Sequence, residues 1–205
     1  MVKKKFAIFL LTLLFSVSVF ASGTSVYVQP LFTDMSEFGG TSMTHPNIVV
    51  DSLAFGHLSQ KTYRSRIVFS PLKNDNSKAT EPFDGYTYII ALSVLDDELN
   101  VLWTGKAFNL AVDFRNKENI EDGMSYAFTK GEWEQQKDGY GLFYLYLSDS
   151  QASSLMGNMD NTDYYSVFSF ETTTGEVILC IFSLEDNNTL TMAMDYVNAT
   201  YPQEL

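Results

Sequence analysis

The amino-acid sequence predicts a mainly β protein, an antiparallel β-sandwich or flattened barrel with one short α-helix near residues 149–158. Short segments rich in β-branched and aromatic residues recur along the chain, separated by Gly, Asn and Asp turn signals. Only one segment combines helical periodicity with capping residues. The 16 Phe and 12 Tyr residues suit a substantial core and argue against intrinsic disorder. A barrel that encloses an apolar cavity is the main competing architecture.

Residues 1–21 have the pattern of an export signal peptide. Three lysines at positions 3–5 precede an apolar run, and Val19 and Ala21 are small residues directly before Ser22. The run has about 16 residues, fewer than the roughly 20 that a membrane span needs. We therefore expect a single β-rich domain of residues 22–205, periplasmic or extracellular, without a transmembrane span in the mature chain.

The negative charge of the chain argues against two classes of partner. The formal net charge is −12, and removal of the three lysines of the signal segment makes it more negative. Binding to nucleic acids and to anionic lipids depends on Lys and Arg contacts, so neither is an expected partner. A protein, a glycan or a small-molecule ligand remains open.

Alternation of apolar and polar residues predicts the strands of the first half of the chain. Residues 63–69 are the clearest case, with Ile67 and Phe69 on one face. Pro30 indicates that the first strand lies at an edge. In residues 108–114, Phe108 and Phe114 are expected on one face. The predicted strands of this half are residues 25–32, 47–55, 63–69, 86–95, 101–104 and 108–114.

The second half is predicted to contain a hairpin and then a meander. The sequence Asp138-Gly139 favours a tight turn, because Gly readily adopts the positive φ that such turns need. Three strands are expected after residue 160, and two of them are apolar on both faces, which is typical of covered strands. The predicted strands of this half are residues 131–137, 140–147, 164–170, 176–184 and 190–197.

The predicted helix begins after Ser148. Ser148 and Gln151 match the S-x-x-Q capping box, in which each side chain satisfies the backbone N–H of the other residue. Gly157 and Asn158 indicate its end. We expect its apolar stripe to pack on the strands at 164–170 and 176–184. The stripe consists of Ala152, Leu155, Met156 and Met159.

The sequence lacks the familiar catalytic and metal-binding motifs. The sequence contains no G-x-S-x-G, H-E-x-x-H, P-loop or dinucleotide-binding motif. The two histidines, His45 and His57, have no evident third ligand and are interpreted as surface or turn residues. Cys180 is the one cysteine, and its apolar surroundings predict a buried thiol. No catalytic residue, metal site or cofactor is predicted, and the ligand-binding residues are unknown.

Three groups of polar or aromatic residues are candidate binding sites. The acids at 96–98 and at 160 and 163 fall in turns that do not match a calcium loop, and are expected to be solvated. Lys61, Arg64 and Arg66 are expected to pair with acids on neighbouring strands rather than to form an anion site. Trp103 and Trp133 are expected in the core rather than on a glycan-binding surface.

These observations favour an exported, non-enzymatic binding module over an enzyme. The alternative is a hydrolase that acts on an extracellular polymer through a pair of carboxylates, whose positions the sequence does not reveal. A small outer-membrane barrel is a third possibility, which the non-alternating apolar strands disfavour.

Overall fold

The protein is described from a computed structural model, which covers residues 24–33, 43–71, 88–126, 133–135 and 141–200. The proposed signal segment and the Asp138-Gly139 turn lie outside these residues. Within them, the mainly β prediction is confirmed. No helix of the described segments has the length and apolar character required to cross a bilayer.

Ten strands and two helices follow one another along the described chain. The first eight strands are β1 (Ser25–Thr33), β2 (Met43–Gly56), β3 (Thr62–Pro71), β4 (Tyr88–Leu95), β5 (Ala107–Asn116), β6 (Gly123–Tyr126), β7 (Trp133–Gln135) and β8 (Phe143–Leu147). The remaining elements are α1 (Asp149–Met159), β9 (Tyr164–Thr172), β10 (Val177–Phe182) and α2 (Thr189–Thr200).

All ten strands belong to one antiparallel sheet that curls into a half-barrel. The strand order is β6-β5-β9-β10-β2-β3-β4-β8-β7, and β1 also pairs with β2. Residues 53–56 of β2 pair with β10, and residues 43–51 pair with β1. Because β3 occupies the other edge of β2, β1 and β10 share a single edge.

Hydroxyl groups join β1 to β10 where the two strands meet. Ser52 Oγ donates a 2.6 Å hydrogen bond to the carbonyl of Ile181 and lies 3.0 Å from Thr24 Oγ1. Thr24 Oγ1 in turn accepts a bond from the backbone N–H of Ser183 at 3.1 Å. The start of β1 and the end of β10 are therefore fixed to the same residue of β2.

The main core lies between one face of the sheet and the two helices. Helix α1 packs on β8, β9 and α2, and α2 packs on β1 and β2. Aromatic side chains of the sheet, among them Phe143, Phe168 and Phe170, are fully buried in this core. A smaller apolar cluster around Val167, Leu179 and Ile181 is separate from the main core.

Helix α1 confirms the predicted helix and its cap. Gln151 Oε1 accepts a 2.9 Å hydrogen bond from the backbone N–H of Ser148, and Ser148 Oγ accepts one from the backbone N–H of Gln151. All four residues of the predicted apolar stripe are buried. The stripe faces the core, with Leu155 0% exposed.

The prediction of a strand at residues 190–197 is wrong, because this segment forms α2. Leu190, Met194 and Val197 are buried at helical spacing, whereas Met192 is 68% exposed. Leu190, Met192 and Met194 alternate with other residues, a pattern that also fits a strand. Over so few residues, the two-residue period of a strand and the 3.6-residue period of a helix are not distinguished. The segment forms a helix because one helical face can pack against α1 and the sheet.

The segment before β5 also departs from the prediction. In place of a strand at 101–104, only Val101 forms an isolated bridge, to Leu95. The pairing of β5 with β9 is irregular between Phe108 and Ala111, where Asn109 has a φ of 57°. This bulge turns Phe108 away from the expected apolar face, and its side chain is 38% exposed.

Candidate functional site

The acidic turns considered as calcium sites are used by the fold. Asp96 Oδ1 accepts bonds from the backbone N–H of Asn100 at 2.8 Å and of Glu98 at 2.9 Å, and these bonds lower the pKa of Asp96. The expectation that Asp160 is solvated is wrong, because its carboxylate is buried and caps α2. Among the described residues, no group of three or more His, Cys, Asp or Glu side chains is placed to hold a metal ion. The side chain of His45 lies outside the described residues.

Arg66 pairs across the sheet, as predicted. Its Nε lies 2.7 Å from Asp51 Oδ1, and its Nη2 lies 2.9 Å from Asp51 Oδ2. The hydroxyl of Tyr27 donates to the same carboxylate at 3.0 Å. The hydrogen bond to Asp51 raises the pKa of Arg66. This guanidinium is therefore already engaged by a carboxylate.

Cys180 lies in the interior, and the partly buried Trp103 packs against the main core. The ring of Trp103 meets Tyr63 edge-on at 5.0 Å between centroids and Phe170 at 6.1 Å. Cys180 is 0% exposed, and burial strongly raises the pKa of its thiol. The burial of Cys180 confirms the prediction, whereas Trp103 is only partly buried at the edge of the core. The side chain of Trp133 lies outside the described residues.

A groove between the two helices is a concave site formed by described residues. Its cavity volume is about 560 Å³, within the usual size range of ligand pockets. We call it the helix groove. It is lined by Tyr88, Asp149, Ser153, Met156, Thr191, Met194, Asp195 and Asn198.

Helical periodicity accounts for the walls of the groove. Asp149, Ser153 and Met156 lie on one face of α1, four and then three residues apart. Thr191, Asp195 and Asn198 have the same spacing on α2 and form the facing wall. The methionines Met156 and Met194 are almost fully buried, so they form an apolar floor beneath polar walls.

Tyr88 joins the floor of the groove to its walls. It starts β4, is only 6% exposed, and forms a hydrogen bond with the side chain of Asn198. Burial raises the pKa of Tyr88, the bond to Asn198 opposes the rise, and the negative charge of Asp149 adds to it. The hydroxyl is therefore a neutral hydrogen-bonding group at neutral pH.

The helix groove has an unbalanced negative charge. Asp149 and Asp195 are both exposed on its walls, and neither belongs to an ion pair within the described part of the chain. No Lys, Arg or His is among the eight described residues that line the groove. Such a site attracts a cationic group and repels an anionic one.

Two contacts hold the helices that form the groove. The carboxylate of Asp160, directly after α1, accepts bonds from the backbone N–H groups of Leu190 and Thr191 at 2.7 and 2.9 Å. Nearby, Asn187 Oδ1 accepts bonds from the backbone and hydroxyl of Thr162, both at 3.1 Å. The end of α1 and the start of α2 are thus connected directly.

The sequence did not reveal this site, because its two acids come from helices far apart in the chain and one of those helices was predicted as a strand. The S-x-x-Q motif located α1, but no local signal pairs Asp149 with Asp195. Comparison with family models, with curated proteins and with solved structures gives no match for this chain.

Proposed function

We propose that the chain is an exported, non-enzymatic binding module that takes a cationic group of its ligand into the helix groove. The observation that carries the proposal is a concave site with two exposed carboxylates on its walls, no basic side chain among its described lining residues and a methionine floor. Asp149 and Asp195 supply the charge, and Tyr88 and Asn198 supply hydrogen-bonding groups.

Magnitudes indicate what kind of cation fits. A charge pair at 4 Å in water contributes only about 1 kcal/mol, so two solvated carboxylates alone give weak binding. Each buried CH₂ group adds about 0.8 kcal/mol. An ammonium or guanidinium on an aliphatic stem gains from both sources, because the stem contacts Met156 and Met194 while the charge stays between the two walls. Methionine adapts well to such stems, since its unbranched side chain is flexible and polarisable.

Export is the second part of the proposal and is supported by the basic and apolar pattern of residues 1–21. We expect the protein isolated from its native cells to start near Ser22 and to be found in the periplasm or the medium. A protein that keeps Met1 and remains in the cytoplasm would contradict this part alone.

The binding test uses n-butylamine as a probe of charge plus stem. In the protein labelled with ¹³C at the methionine methyl groups, n-butylamine is expected to shift the signals of Met156 and Met194, whereas n-butanol, which lacks the charge, shifts them far less. The variant with Asp149→Asn and Asp195→Asn should lose the response. A matched control with Glu185→Gln and Asp186→Asn removes two exposed acids elsewhere and should keep it. Equal responses to both probes, or no response, would refute the proposed site.

A hydrolase remains the second candidate, because Asp149 and Asp195 place two carboxylates in one concave site. Glycosidases need such a pair, with one carboxyl protonated and the other ionised. Turnover of extracellular polysaccharides by the wild-type protein that is abolished by either Asp149→Asn or Asp195→Asn would favour the hydrolase. Binding without turnover would favour the binding module.

A further inference from the structure

Helix α2 presents two large apolar side chains beside the helix groove. Met192 is 68% exposed and Tyr196 is 58% exposed, four residues apart on the same face of the helix. At 100° per residue, this face lies next to the wall formed by Thr191 and Asp195. We call Met192 and Tyr196 the α2 rim. Met192 is three residues from Asp195, so the α2 rim adjoins the acidic wall of the groove on the surface of α2.

We propose that the helix groove and the α2 rim together dock an extended peptide segment of a partner protein, in which a Lys or Arg lies next to a bulky apolar residue. The inference rests on the proposed function and names the ligand class for the same site. The basic side chain enters the groove between Asp149 and Asp195, and the apolar residue covers Met192 and Tyr196.

Charge complementarity selects the partner. The chain carries a net charge of −12, and the described lining residues of its groove include two acids and no base, so the surface repels acidic segments and attracts basic ones. The α2 rim can also contact an apolar residue next to the basic residue of a peptide, a contact that a free amine does not make. Tyr and Met are also residues that protein-binding surfaces favour.

The dimensions limit the length of the segment. From Thr191 to Asn198 the wall rises about 10 Å, at 1.5 Å per residue. An extended chain advances about 3.3 Å per residue, so three or four peptide residues span the groove. The basic and the apolar residue are therefore expected within three positions of each other.

Selection from a phage-displayed library of random heptapeptides tests the proposal. On the folded wild-type protein, the selected peptides should be enriched in Lys or Arg with Leu, Ile, Phe, Trp or Tyr within three positions. Selection of peptides without a basic residue, or of acidic ones, would overturn the proposal, and so would the absence of any enrichment.

Variants then locate the bound peptide. A selected peptide, made synthetically, should bind the protein with Asp149→Asn and Asp195→Asn at least about tenfold more weakly, a loss of about 1.4 kcal/mol. The variant with Met192→Ser and Tyr196→Ser should bind the peptide more weakly by a similar factor. Its binding of n-butylamine should be unchanged. The control variant with Leu58→Ser and Leu99→Ser, two exposed side chains elsewhere, should bind normally.

The two proposals fail in different ways. If n-butylamine binds in the groove but no basic peptide is selected, or if the rim variant binds the peptide as tightly as wild type, the peptide proposal is wrong and the cation site remains. If neither n-butylamine nor a basic peptide binds, both proposals are wrong.

Discussion

The carboxylate of Asp160 accepts a 2.7 Å hydrogen bond from the backbone N–H of Leu190, so the residue that follows α1 caps the start of α2. The same carboxylate also accepts bonds from the backbone N–H and the hydroxyl of Thr191, at 2.9 and 2.6 Å. The first N–H groups of a helix have no partner within the helix, and a negative charge there is favourable. The side chain of Asp160 thus provides hydrogen-bond partners for the first N–H groups of α2 and holds this helix beside α1.

Replacing Asp160 with Ala is expected to destabilise the protein by about 1.5–3 kcal/mol, the usual range for hydrogen bonds to a charged group. The buried N–H of Leu190 would lose its partner. Urea unfolding measures the change. The control Asp163→Ala removes an exposed acid from the same turn and should shift the unfolding free energy by less than about 0.5 kcal/mol. Similar effects of both changes would show that the cap contributes little.

Replacing Leu155 with Ala is expected to cost about 2–5 kcal/mol, because it leaves a cavity between α1 and the sheet. Ser148→Ala should cost about 1 kcal/mol through the lost cap. Thermal unfolding of these variants, beside the exposed control Ser154→Ala, measures both effects. An unchanged melting temperature for Leu155→Ala would contradict the burial of the stripe.

Gly56 and Gly157 are expected to respond to Ala in opposite directions. A Cβ at Gly56 would collide with the carboxylate of Glu176, which is buried and accepts a bond from the backbone N–H of Ser59. The carboxylate can move aside only by losing this bond, so Gly56→Ala should cost about 1–3 kcal/mol. Gly157 lies in α1 with open space around the position of a Cβ, so Gly157→Ala should stabilise the protein by about 0.5–1 kcal/mol. Denaturant midpoints compare the two, and a stabilising Gly56→Ala would rule out the close approach of Glu176.

The thiol of Cys180 is expected to react slowly in the native protein. Burial raises its pKa, so the thiolate that reacts with alkylating reagents is suppressed even at mildly alkaline pH. Iodoacetamide labelling at pH 8.5 should be slow in the native state and fast in urea. Fast native labelling would show that β10 is accessible to solvent.

Tyr88 is expected to make the protein less stable at high pH. Its pKa in the folded state is raised above the ordinary value of 10.0, so its contribution to stability is fully present below that pH. The contribution is lost as the pH rises through the folded-state pKa, because the unfolded chain ionises first. Between pH 9 and 11, urea unfolding of Tyr88→Phe should show a smaller loss of stability than the wild type. If the unfolding free energies of the two proteins fall in parallel with pH, the raised pKa of Tyr88 is contradicted.

Local patterns predicted the mainly β class and helix α1, since strand alternation and the Ser148–Gln151 cap are read within a few residues. Helix α2 could not be found in this way, because its cap, Asp160, is supplied from the end of α1. The helix groove depends on both helices, so the proximity of Asp149 and Asp195 follows only from tertiary packing. The sequence predicted that Arg66 pairs with an acid on a neighbouring strand, but it did not identify that acid as Asp51.

The shared edge of β2 has a consequence for the order in which the sheet assembles. β1 reaches β2 through a short connection, but Ser52 and its partner Ile181 are 129 residues apart, so β10 must close a long loop before it can pair. Such non-local pairings form slowly, and until then the end of β2 is an open edge that invites aggregation. Once β1 is in place, it limits how far β10 can slide along β2. β1, the first strand in the chain, therefore restricts the register in which β10, the last, can pair with β2.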